Sequence, residues 1–417
     1  MATLASAIAA QHPQPRDFVR HGLLPWLCAL AVAIIAHFLV EPLFGEYGAR
    51  VARQAAVYIV AAVSLNVVNG FAGQFSMGHA GFMAVGGYAA AFVTYYGSFF
   101  FFGSAEARAS PVVLGLELPF TAGHLLLLVG LLFGGCVAAI LGLLVGLPSL
   151  RLRGDYLAIV TLGFGEIVRV FLELSGPQML NAAQIRDASA STWAAIPVGG
   201  PLGFSGVPAY ADTFWVFLAA AVTVLVCARL KRSSTGRALL SVREDEIAAR
   251  AMGINLTGYK VRGFVFAAFF GGIAGGLLVH TGVVFKPDNA GFQQSFEIII
   301  MVVLGGLGSI SGAVLAAILL STLPEGLRGL PSILPNWMMG TSDGSPPSWN
   351  PADYRLVSYA LILIVMMLVR PKGLFGIREI WEIWPFRRVA ARPTGATPPP
   401  KPATEPVSQS KSDGGVL

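Results

Sequence analysis

"GHLLLLVGLLFGGCVAAILGLLVGL", residues 123–147, holds no Asp, Glu, Lys or Arg. An α-helix rises about 1.5 Å per residue, so this stretch can cross the roughly 30 Å of hydrocarbon in a bilayer. Working outward, the same kind of run recurs at 23–42, 54–70, 79–96, 155–174, 212–230, 262–283 and 356–369. Two shorter runs, 295–304 and 309–323, are separated by "GGLGS" at 305–309. Neither reaches comfortably across a bilayer, so they read as a pair of short helices. The expected fold is all-α, a polytopic membrane protein with about 8–10 transmembrane or re-entrant helices. Composition agrees: 55% of the 417 residues are hydrophobic and 12% charged, against about 25% charged in soluble domains.

The formal net charge is +6. The basic residues lie in the segments between apolar runs, which argues for membrane orientation and against nucleic acid as a partner. With the N-terminus inside, the inner segments up to residue 392 carry eighteen Lys and Arg and the outer ones seven. That asymmetry places 1–22, 148–154, 229–262 and the C-terminus in the cytoplasm, and 175–211 and 324–355 outside. It also requires an even number of crossings between 283 and 356. Residues 1–22 form a polar N-terminal segment, and 23–376 the transmembrane domain. Residues 377–417 form a cytoplasmic tail whose Pro-, Ser- and Thr-rich end cannot bury a core. Cys28, Cys136 and Cys227 all fall in apolar stretches and have no metal-ligand spacing. No Gly-Lys pair exists, so a phosphate-cradling loop is excluded. No catalytic residue, metal site or cofactor is expected. Any ATP must be bound by another chain.

Three groups of residues carry candidate roles. Gln74, Ser76 and His79 stand among four glycines in "GFAGQFSMGHAG" (70–81). Such a segment can line a cavity at membrane depth with free backbone groups, placing these residues beside a solute path. It also reads as a turn that packs helices. Glu166 and Arg169 lie three apart in the span 155–174 and are expected to form a structural ion pair. The loop 231–262, "KRSSTGRALLSVREDEIAARAMGINLTGYKVR", carries a predicted amphipathic helix over 242–252. Glu244 and Glu246 stand near its start, Ile247, Ala251 and Met252 make an apolar stripe, and Gly253 ends it. "GQFSMGHAGFMAVGGYAAAF" (73–92) and "GGLGSISGAVLAAILL" (305–320) both place a Gly/Ser break before a small-residue helix. An inverted repeat is therefore a candidate feature of the fold.

"EIAARAMG" (246–253) resembles the Glu-Ala-Ala…Gly coupling loop of ATP-binding-cassette importer permeases, with one residue inserted after the Glu and no Ile-x-Leu-Pro following. Four further strings resemble the LivM type of branched-chain amino acid permease: "GQFSMGHAGFMAVGGY" (73–88), "LRGDYLAIVTLGFGEIVR" (152–169), "VLGGLGSISGAVLAAILL" (303–320) and "RPKGLFG" (370–376). Together they run over most of 54–376. The resemblance implies a non-enzymatic permease subunit in a bacterial inner membrane. Glu244, Glu246, Ala248, Ala249, Met252 and Gly253 would couple it to an ATPase. Its implied partners are a second permease subunit of LivH type, two ATP-binding subunits and a periplasmic solute-binding protein. Urea, short amides or other amino acids are alternative solutes. A proton-coupled carrier, with Glu166 or Glu297 as relay, is the rival mechanism.

Overall fold

The computed structural model describes residues 23–104, 112–113, 116–117, 121–149, 156–282, 284–329, 355–370, 373–376 and 379. The expectations for 1–22, for most of 324–355 and for the tail beyond 376, Glu379 excepted, lie outside these residues.

Thirteen α-helices are described: α1 (Leu24–Asn66), α2 (His79–Phe102), α3 (Ala122–Ser149), α4 (Tyr156–Glu173), α5 (Ala182–Arg186), α6 (Ala190–Ala194), α7 (Thr213–Arg232), α8 (Ser234–Glu244), α9 (Glu246–Ala251), α10 (Leu256–Val279), α11 (Phe292–Gly305), α12 (Ile310–Gly329) and α13 (Arg355–Val369). The only strands among the described residues are a two-residue antiparallel pair, Val112–Val113 with Leu116–Glu117. The runs Leu24–Phe71, Ala122–Ser149, Thr213–Arg232 and Leu256–Val279 are each long and apolar enough to cross a membrane. The chain is thus an all-α, multi-pass membrane protein.

α1 merges the first two expected spans. Pro42 lies within it and Gly45 leaves helical geometry at φ 67°. The contacts with α7 show what this break does. Trp26 stacks under Arg229 at one end of α7, with 5.2 Å from guanidinium to ring centroid. His37 meets Phe214 at the other end, and Arg53 donates to the Thr213 hydroxyl at that same end (3.4 Å). The chain therefore runs the length of α7, reverses near Gly45 and returns, giving α1 two arms. The second arm continues into a π-turn, Val67–Phe71.

Packing follows side-chain size. In α3 the buried face includes Gly130, Gly134, Ala138 and Gly142, while Leu125, Leu132, Ile140 and Leu144 point outward. Without a hydrophobic drive between helices in lipid, close backbone approach supplies the cohesion, and small residues permit it. The tightest example joins α2 and α10. A Cβ on Gly275 would lie 1.8 Å from the carbonyl oxygen of Met83. α10 packs against α2, α3 and α1, so it forms the centre of the molecule. It begins at Leu256, six residues before the expected start at 262, because the Asn255 side chain caps it by accepting from Gly258 N–H (3.0 Å). The expected outer loop 175–211 is ordered rather than open chain. The Tyr96 hydroxyl donates to the Pro197 carbonyl (2.6 Å), and the Tyr95 hydroxyl donates to the Met179 carbonyl (3.0 Å).

Candidate permeation and coupling site

The first interrupted segment is 72–78, between the π-turn and α2. Gln74, Ser76 and His79 are all buried within this chain's own packing. The neighbouring Phe75, 41% exposed, faces outward instead. His79 Nε2 lies 2.9 Å from the Ser64 hydroxyl in the second arm of α1, and a Cβ on Gly271 of α10 would lie 2.9 Å from its Cε1. The Ser76 N–H donates to Asn69 Oδ1 (3.1 Å), which fixes the orientation of that amide and turns Nδ2 the other way. Asn69 Nδ2 and Gln74 Oε1 are buried with no hydrogen-bond partner among the described residues. Buried polar atoms are normally paired, so a donor and an acceptor kept open along an interrupted backbone suit a passing polar solute or water.

The second interruption, 306–309, separates α11 from α12 as the sequence predicts. The end of α1 and the π-turn before the first interruption touch the second. The Gly308 N–H donates to Asn66 Oδ1 (2.9 Å) and Asn66 Nδ2 donates to the Ser309 carbonyl (2.9 Å). A Cβ on Gly70 would sit 2.4 Å from Gly308 N, so only glycine allows this approach. Both glycine-rich strings, 73–92 and 305–320, thus start from the same end of the molecule. Glu379 closes this end. Its carboxylate accepts from Lys231 Nζ (2.5 Å), from the N–H groups of Ile310 (3.1 Å) and Ser311 (3.0 Å), and from the Ser311 hydroxyl (2.7 Å). Burial alone would push this carboxyl up. The hydrogen bonds from Lys231, Ser311 and Ile310 prevail and hold it below the usual glutamate range.

The loop 231–262 departs from expectation. The helix predicted over 242–252 is two helices, α8 and α9, broken at Asp245, which is extended at φ −155° and ψ 112°. Asp245 is an N-cap: its side chain accepts from the N–H groups of Ile247 (2.7 Å) and Ala248 (3.1 Å). Glu244 and Glu246 therefore belong to different helices. Glu246 also pairs with Lys260 of this chain (2.5 Å). Ala249 is not on the outer face but packs with Val242 and Leu256. Ile247 and Met252 are 83% and 82% exposed, beside exposed Ala248. Gly253 follows at φ +82°, a left-handed conformation that favours glycine.

Glu166 and Arg169 meet at 2.7 Å, and Arg169 also reaches Glu173 at 2.5 Å. The three side chains are between 31% and 42% exposed, so the pair is not in a dry interior of this chain. Glu166 also accepts from the Phe292 N–H at the start of α11 (3.4 Å). An apolar groove of about 580 Å³ lies nearby, lined by Phe92, Phe133, Phe164, Ile167 and Trp193. No group of three or more potential metal ligands occurs among the described residues.

Sequence reasoning missed Asn66, Asn69, Lys231, Arg243 and Glu379. For the asparagines a signal existed, since "SLNVVNG" (64–70) puts two amides in an apolar span. Glu379 gave none, because only the fold brings it to Lys231.

Reversed and interrupted spans around a glycine-packed centre are features of a membrane permease. A family model described as "Branched-chain amino acid transport system / permease component" matches residues 48–369. The chain belongs to this family. It is 31% identical over 368 residues to the high-affinity branched-chain amino acid transport system permease protein LivM of Salmonella typhimurium, covering 84% of this chain and 73% of that protein. Against LivM of Escherichia coli strain K12 the identity is 32% over 341 residues, 78% of this chain and 69% of the other. LivH of Salmonella typhimurium is 28% identical over 155 residues, 37% of this chain and 44% of that protein. No solved structure matches.

Proposed function

We propose that this chain is one permease subunit of an ATP-driven importer for the branched-chain amino acids leucine, isoleucine and valine. It pairs with a second permease of LivH type in the bacterial inner membrane. Two ATP-binding subunits drive it, and a periplasmic binding protein delivers the solute. The observation that carries this reading is the α8–α9 pair. Its outer face leaves Ile247 and Met252 without cover, while Arg243 at its base packs against Gly73 of the first interruption and reaches Leu307 of the second. Two large apolar side chains exposed on one short helical segment suit a protein surface that covers them. Glu244 and Glu246 flank this face, and Gly253 returns the chain toward α10.

In this reading the solute passes the interrupted segment of Gln74, Ser76 and His79, with Asn69 Nδ2 and Gln74 Oε1 as open polar contacts. Glu166 and Arg169 act structurally, holding α4 to the start of α11. The chain makes or breaks no covalent bond; ATP hydrolysis in its partners drives alternating access. The test is reconstitution of the tagged complex in vesicles with the binding protein and labelled leucine. Uptake should require ATP and survive collapse of the proton gradient. Uptake that instead follows the proton gradient without ATP would replace this reading with the secondary-carrier one.

A further inference from the structure

The α8–α9 pair is joined to α7 and α10 by the chain itself, and to α10 by the Glu246–Lys260 pair and the packing of Ala249 on Leu256. A further side chain reaches the interrupted segments. Arg243 stands in the last turn of α8, two residues before the cap that starts α9. Its Nη1 donates to the Gly70 carbonyl at 2.6 Å and reaches the Leu307 carbonyl at 3.5 Å. The Gly70 carbonyl lies in the π-turn that leads into the first interruption, and the Leu307 carbonyl lies in the second. The fit is close on both sides. A Cβ on Gly73 would lie 2.8 Å from Arg243 Cγ, and one on Gly308 would lie 2.7 Å from Nη1. Asn66 ties the same Gly308 and Ser309 to the second arm of α1.

We propose that Arg243 is a positioning residue that carries movement of the α8–α9 pair to both interrupted segments at once, so that they open and close together. This rests on the importer reading above. The physical case is stiffness. Val242 and Leu239 beside it are buried, so α8 shifts as a body, and a planar guanidinium presents several donors in a fixed fork. Interrupted backbone has few hydrogen bonds of its own to resist displacement. A carbonyl held in the π-turn, the close packing at Gly73 and a carbonyl held in the second segment therefore give a displaced α8 purchase on both. Loss of the guanidinium would leave α9 docked and the segments moving independently.

The experiment uses the complete complex purified through a tag on this chain, reconstituted with its binding protein and labelled leucine. For Arg243→Ala, co-purification of the ATPase subunits and ATP hydrolysis should persist, while leucine imported per ATP falls by about tenfold, within the usual range of coupling effects. Arg243→Lys, with a point charge in place of a fork, should fall between the two. A second readout separates transmission from folding. In a background lacking Cys28, Cys136 and Cys227, maleimide labelling of the Phe75→Cys variant should change with ATP, and adding Arg243→Ala should abolish that dependence. An unchanged ratio of leucine to ATP in Arg243→Ala overturns the inference. So does loss of ATPase co-purification, which would make Arg243 a support of the docking face. If the parent complex neither retains ATPase subunits nor imports leucine with ATP, the importer reading itself falls and the inference with it.

Discussion

Glu379 shows how much one residue can do at an interrupted helix. A helix start leaves N–H groups without intrahelical partners, and α12 starts at a break that glycine makes loose. The Glu379 carboxylate accepts from two of those N–H groups and from Lys231, which itself donates to the Gly308 carbonyl (2.7 Å). Replacing it by Gln removes the charge while keeping the shape. Hydrogen bonds to charged groups contribute about 1.5–3 kcal/mol, so Glu379→Gln should lower the thermal unfolding midpoint of the purified protein in detergent. The pH dependence has a definite sign. A carboxyl held below its unfolded value of about 4.3 contributes its full stability above that value and loses it as pH falls through the lower folded value. The parent should therefore lose its advantage over Glu379→Gln only on acidification below the usual glutamate range. An equal difference between the two at all pH values would rule out the charge as the cause. At Glu166 the expectation changes with the geometry: Arg169 keeps Glu173 when Glu166 is neutralised, so Glu166→Gln should be milder than the loss of an isolated pair.

At the scale of the element, α9 shows why periodicity alone misleads. The spacing of Ile247, Ala251 and Met252 suggested one continuous amphipathic helix. Asp245 has an alternative available, since its short carboxylate can accept from N–H groups two and three residues on, and this competes with helix continuation. The break rotates α9 so that Ala249 turns inward and Ile247 and Met252 turn out. A charge at Ala249 would therefore disrupt the cluster with Val242 and Leu256, and such a variant would report folding of the pair rather than docking. The docking face is tested by Ile247→Ser together with Met252→Ser. Both side chains are more than four-fifths exposed, so folding of the chain should be unaffected, while co-purification of ATPase subunits should drop. Retention of those subunits at parental yield would place the docking surface elsewhere.

For the whole molecule, the proposed orientation rests on the distribution of basic residues. Ser191 lies in the short helix α6 of the segment between α4 and α7, and the charge asymmetry puts that segment outside. In a chain without native cysteines, the Ser191→Cys variant should react with an impermeant reagent in intact cells stripped of the outer membrane. Reaction only after the inner membrane is opened would reverse the topology and with it the assignment of the coupling face.

The sequence by itself determined the membrane class, most helix positions, the break at 305–309 and the family. Each follows from a local property: the length of an apolar run, the glycines that interrupt it, or a string of residues in order. Tertiary structure decided the rest. Whether residues 24–66 make one span or two depended on a reversal at Gly45 that shows only in the contacts with α7. The break at Asp245 and the outward turn of Met252 came from a cap competing with helix periodicity. The meeting of Asn66, Arg243, Lys231 and Glu379 around two glycine breaks joins residues separated by up to 313 positions in sequence order. No local pattern encodes such a contact, because its partners are selected by the packing of whole helices rather than by spacing along the chain.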